Sequence, residues 1–182
     1  MSATSSSPGA GRPAIGQRLR QGLHALRPAI PPDREAILAE ALTPGQAAAF
    51  RGLSPHDQAH LCRVYRRLKE RGGAGRDLLV AALLHDIGKE HPAGQVRLLD
   101  RVARVVLVRL APGLLRRLAA WPAPRWRRGL ALAVHHPRLG AERAAALGCS
   151  ARACWLIAHH EDRPLPDDRE LRLLVEADRA CP

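Results

Sequence analysis

Seven of the nine histidines fall in groups: His56 with His60, His85 beside Asp86, His135 with His136, and His159 with His160. Imidazole nitrogen and carboxylate oxygen, with no thiolate among them, form a donor set that suits Mn, Fe, Co, Ni or Zn in a catalytic role better than a structural zinc. One such ion acidifies a bound water towards neutral pH, and a second clamps the oxygens of a phosphoryl group that an anionic nucleophile must attack. Two carboxylates are placed to balance the histidines. Asp86 adjoins His85, and Asp178 interrupts the apolar face of "LLVEADRA". Burying Asp178 without a partner is costly, so a metal or an arginine is expected beside it.

The spacing says which elements must carry these groups. His56 and His60 are four apart and share one helical face. His60 precedes His85 by 25 residues and His136 precedes His159 by 23, separations that fit helix hairpins whose arms bring each pair together. The stretch "LLVAALLHDIGKEH" has the same logic: an apolar run, Leu78 to Leu84, is rigid support that delivers His85 and Asp86 at its end. Gly88 is expected to let the backbone turn away so that Lys89 faces the site.

At 182 residues the chain suits one domain. Apolar residues make up 46% and aromatics only 3%, so the core is built from Leu, Ala and Val, which favours packed helices. Asp33, Thr43 and Ser54 read as N-caps, the last two followed by Pro44 and Pro55 at the first helical position. Helices are predicted over 33–41, 44–51, 55–71, 76–86, 94–110, 113–121, 125–135, 138–147, 151–160 and 167–179, each bounded by Gly, Pro or a capping residue. No segment sustains period-two alternation, and the expected fold is all-α, a compact multi-helix bundle. Residues 1–14 have the composition of a disordered tail, 15–53 read as a helical extension with a weak helix at 15–30, and 54–182 hold the histidine groups.

The formal charge is +12, almost all of it arginine, since Lys69 and Lys89 are the only lysines. Eleven arginines against Asp100 and Glu142 give residues 93–143 a balance of +9. With few aromatics between them and no recognition module, these arginines read as solvated faces before they read as a nucleic-acid surface. The four cysteines form no CxxC pair, and no secretory h-region stands near the start, so reduced thiols and a cytoplasmic location are expected. "VARVVLVRLAPGLLRRLAAW" carries too many arginines to span a bilayer. It is expected to be a soluble amphipathic helix, with docking on an anionic membrane surface, Trp121 and Trp126 at the interface, as the lesser alternative.

"HLCRVYRRL", "ALLHDIGK", "HHPRLGAE", "LIAHHED" and "LLVEADRA", in that order over residues 54–180, resemble the HD-domain superfamily of metal-dependent phosphohydrolases. The resemblance implies an all-α fold in which His60, His85, Asp86 and Asp178 hold one metal, Asp86 bridges to a second, and His136, His159 and His160 hold that second ion. It implies that Asp86 and Lys89 are catalytic, with Lys89 facing the phosphate or the metal-bound oxygen. Glu161 reads as a support to the ligands or as solvent-facing, His24, His91 and His135 as outside the ligand set, and His56 as exposed, its shared face with His60 leaving a lesser ligand role open. "HHED" is followed by "RPLPDDRE", not by the Gly-Tyr-Pro stretch of the cyclic-dinucleotide phosphodiesterases, and the acidic motif of the alarmone hydrolases is missing, so neither substrate is assigned. The implied activity is hydrolysis of a phosphomonoester or phosphodiester, with a nucleotide as the candidate substrate. Two alternatives share the ligands: a di-iron HD oxygenase, and a regulatory module that binds a nucleotide or nucleic acid without turnover.

Overall fold

The computed structural model describes residues 30–91 and 94–181. The tail expected over 1–14, all but the last residue of the weak helix expected over 15–30, His24 and the side chain of His91 lie outside the described residues. Within them the chain is all-α: α1 (Arg34–Ala41), α2 (Pro44–Arg51), α3 (Pro55–Arg71), α4 (Arg76–Leu84), α5 (Leu98–Leu110), α6 (Pro112–Leu118), α7 (Arg128–Ala146), α8 (Ala151–His159) and α9 (Arg169–Arg179). A 3-10 turn, Ile87–Lys89, and a two-residue antiparallel pairing, Glu90 opposite Gln95, link α4 to α5. That pairing occupies residues expected to begin a helix at 94.

Helix starts follow the capping residues. Thr43 and Gln46 form a reciprocal capping box ahead of Pro44, and the Ser54 hydroxyl accepts from the Asp57 amide ahead of Pro55. Asp33 departs from expectation: its side chain makes no cap bond and is taken by the Arg66 guanidinium. An ion pair with a residue about three turns into α3 has replaced the local hydrogen bond.

The larger departure lies in α7. Pro137 was expected to separate two helices, but a single helix runs from Arg128 to Ala146 with Pro137 inside it. An interior proline removes the N–H that would bond the carbonyl four residues back, here that of Ala133. The His136 ring supplies the missing donor: Nδ1 lies 3.0 Å from the Ala133 oxygen.

The main core joins α1, α2, α3, α4, α8 and α9 around Leu38, Phe50, Tyr65, Leu83, Leu156 and Leu174. Residues 34–53 are therefore integral to the bundle that holds the histidine groups. α7 lies along α8 and against the Ile87–Lys89 turn. A second, small cluster of Leu115, Ala119 and Leu130 fastens the α5–α6 hairpin to α7.

Candidate metal centre

Six of the seven predicted ligands converge. His60 comes from α3, His85 and Asp86 from the end of α4, His136 from α7, His160 from the end of α8 and Asp178 from α9. His60, His85 and Asp86 each offer a donor atom within 4.8 Å of the others, and so do Asp86, His136 and His160. Asp86 belongs to both groups. Asp178 closes the first, its Oδ1 lying 2.9 Å from His60 Nε2 and 3.4 Å from His85 Nε2. The seventh residue, His159, turns elsewhere: Nδ1 lies 2.6 Å from Asp162, and its ring lies against Trp155.

A backbone carbonyl anchors each of four imidazoles, for three of them the carbonyl three residues back. His85 Nδ1 meets the carbonyl of Ala82, His136 Nδ1 that of Ala133, His160 Nδ1 that of Ile157 and His60 Nδ1 that of Cys181, at 2.6 to 3.1 Å. A carbonyl only accepts, so Nδ1 is the protonated nitrogen and Nε2 is turned to the site. His85 and His160 follow the last residues of their helices, where carbonyls are left without helical donors. Pro137 creates the equivalent orphan within α7.

This arrangement makes the residues fit a cation. His136 Nε2 is fully buried and lacks a hydrogen-bond partner, and the nearest oxygens are Asp86 Oδ1 at 3.4 Å and Glu161 Oε1 at 3.9 Å. In a neutral ring Nε2 is a lone pair facing carboxylate lone pairs. Such a meeting is repulsive unless a proton or a metal ion stands between them. His60 and Asp178 pose the same requirement at 2.9 Å.

The electrostatics keep both carboxylates and His160 in ligand form, whereas at His85 the effect of burial is outweighed by Asp86 and Asp178, which raise its pKa. Burial opposes ionisation of Asp86, but the Lys89 ammonium, His85 and His136 outweigh it and hold the carboxyl well below the usual range. For Asp178 burial is likewise overcome, by the His60 and His85 rings beside it, and its pKa is lowered. Burial, with His85 and His136 nearby, pushes His160 down to about 3, so its ring stays neutral.

Lys89 does face the site: Nζ lies 2.5 Å from Asp86 Oδ2 and 3.8 Å from Asp57 Oδ1. The reason differs from the expected one. Gly88 does not adopt a positive φ. Instead a Cβ there would stand 2.1 Å from the His136 carbonyl oxygen and 2.6 Å from the Gly140 nitrogen, so the residue is glycine because the 3-10 turn is pressed against the backbone of α7. Arg143 fastens the same turn by donating to the carbonyls of Ile87 and Glu90.

Residues outside the expected ligand set complete the centre. Asp57 is buried, accepts from the Ser54 hydroxyl at 2.6 Å and takes both contacts from Arg101 at 2.8 and 3.0 Å. Glu161 takes a two-pronged pair from Arg104, Nη1 donating to Oε1 and Nη2 to Oε2, where Arg101 reaches both Asp57 oxygens with Nη2 alone. The usable signal for Asp57 was periodicity, since it shares the buried face of α3 with Leu61, Val64 and Leu68. Beside the donors lies a cavity of about 300 Å³ lined by the first group, Lys89, Arg101, Arg179 and Glu161. The cavity is lined by four carboxylates, Asp57, Asp86, Glu161 and Asp178, against Lys89, Arg101 and Arg179, so histidine nitrogen paired with carboxylate oxygen at its foot can hold divalent cations, and with cations bound it can take in an anion.

No family model, no curated protein and no solved structure matches the chain.

Proposed function

We propose that the chain is a metal-dependent phosphohydrolase acting on a phosphomonoester or phosphodiester, with a nucleotide as the candidate substrate. The observation that carries the reading is the sharing of buried Asp86 by two His/Asp donor groups under a cavity to which Lys89, Arg101 and Arg179 also contribute. The ordered motifs that resemble the HD superfamily point to the same chemistry. His60, His85, Asp86 and Asp178 would hold one cation, and Asp86, His136 and His160 the other. When bound, the cations supply water made acidic near neutral pH and positive charge for phosphoryl oxygens.

The chain's own part is positioning. The carbonyl-anchored Nδ1 atoms fix the four rings, so Nε2 needs no reorientation on binding. Lys89 keeps Asp86 ionised and brings a compact positive charge to the cavity floor. Arg101 and Arg179 on the cavity wall suit the substrate's remaining phosphate oxygens. Arg101 is held by Asp57, so it is already in place when substrate arrives.

The test is a panel of nucleotides, phosphomonoesters and phosphodiesters incubated with the Mn-, Fe- and Zn-reconstituted protein, with release of phosphate or of the freed alcohol measured. Turnover of a phosphoester that depends on added metal supports the reading. Consumption of dioxygen with an organic substrate, and no phosphoester cleavage, would replace it by the oxygenase alternative.

A further inference from the structure

α5 has no buried residue. Its inner side carries Arg101 and Arg104 to the metal centre, and Ala103 and Leu107 to α6 and α7. Its outer side is apolar. At about 100° per residue, Val105, Leu98, Val102, Val106, Leu99 and Leu110 fill a continuous arc of roughly 140° that only Arg109 interrupts. All six are exposed, Leu99 and Leu110 to 79%. A run of large aliphatic side chains in water on one face marks an interaction surface.

The surroundings say what covers it. Arg109, Arg116, Arg117 and Arg125 are exposed around the hairpin, and Asp100 is the only acidic residue from 94 to 128. Its carboxylate accepts from the Arg97 amide. At the N-terminal end of the arc a cleft is lined by Arg97, Arg125, Arg128 and Trp126, whose indole is 77% exposed. An aliphatic face with a cationic rim and an exposed tryptophan meets the requirements of an anionic lipid surface: acyl chains for the arc, headgroup charge for the arginines, and the interfacial zone for the indole. A second copy would set arginine rim near arginine rim. The chain's own residues 1–29 carry four arginines and no acidic residue, and match the rim no better. Among the described residues no helix is long and apolar enough to cross a membrane, so the contact is one of surface docking.

We propose that the outer face of α5, together with Trp126 and the arginine cleft beside it, docks the protein onto an anionic lipid bilayer.

The full chain is to be co-sedimented with equimolar phosphatidylcholine/phosphatidylglycerol vesicles and with phosphatidylcholine alone. Binding to the anionic vesicles, weakening as salt rises, is expected, with a blue shift in fluorescence that Trp126→Phe removes. The double variant Leu99→Asp/Val106→Asp should lose at least tenfold in partitioning, and charge neutralisation in Arg116→Gln/Arg117→Gln should cost roughly fivefold per arginine. Both pairs are exposed, and the circular dichroism of each variant checks the fold; either variant suffices if the other misfolds. Equal binding to both vesicle types, no binding, or undiminished binding by the folded variants would overturn the proposal. So would a dimer of the wild-type chain that Leu99→Asp/Val106→Asp dissociates, which would give the face to a second copy.

Discussion

His136 Nδ1 lies 3.0 Å from the carbonyl oxygen of Ala133, the carbonyl to which Pro137 has no N–H to give. The proline keeps this acceptor available to the imidazole and so fixes the nitrogen that faces Asp86. In Pro137→Ala the restored amide competes with His136 for Ala133. Metal affinity at the Asp86, His136 and His160 group should then fall by about 10- to 100-fold, the usual effect of losing a group that orients a ligand. Calorimetric titration with Mn²⁺ reads this directly, while helicity measured by circular dichroism stays unchanged. Unaltered affinity would show that Pro137 has no part in orienting the ring.

Lys89 separates two buried carboxylates, Asp86 and Asp57, without being a ligand itself. Lys89→Ala is expected to keep its metal and to lose about a hundredfold in turnover, the scale seen when one charge-stabilising donor is removed from an active site. Metal content and kcat are to be measured on the same preparation. Loss of metal in that variant would mean that the ammonium holds the site together and has no separate catalytic part.

Asp57 ties the start of α3 to α5 through Arg101, whose side chain keeps about a third of its exposure. Solvent reduces the value of that pair below that of a fully buried one, so Asp57→Ala should destabilise by about 1–3 kcal/mol. For a chain of this size that is a fall in Tm of roughly 2–12 °C. Metal stoichiometry should not change, because Asp57 belongs to neither donor group.

Gly88 and Gly140 face each other where the 3-10 turn meets α7, but they are not equivalent. A Cβ on Gly88 would meet backbone at 2.1 Å, whereas one on Gly140 finds Gly88 N at 3.3 Å and the Ile157 side chain at 3.4 Å. Gly88→Ala should therefore cost more than about 3 kcal/mol or prevent soluble expression, and Gly140→Ala should cost about 1 kcal/mol or less. Thermal melts of the two variants decide this, and a Gly88→Ala protein as stable as Gly140→Ala would contradict the close approach.

Much of this architecture can be read from the chain, for identifiable reasons. Thr43-Pro44 and Ser54-Pro55 are strong local signals, and the helices they predict begin where expected. The histidine groups were legible because each sits at a helix end or hairpin spacing, and six of the seven expected ligands meet. Pro137 misled because a local rule was applied where a side chain supplies the missing donor. Asp33 misled because Arg66, distant in sequence, outbids its own helix. Asp57 was overlooked because a carboxylate in the first turn of a capped helix is commonplace. Arg101 and Arg104 could not be told from the other arginines of residues 93–143 without knowing which side of α5 meets the centre.

The central claim is that Asp86 is the carboxylate common to two cation sites. Elemental analysis of protein reconstituted with Mn, Fe or Zn, wild type beside Asp86→Ala, tests it most directly. Near two ions per wild-type chain and near none in the variant is the predicted result. A variant that keeps its metal, or a wild-type chain that binds none, would contradict it.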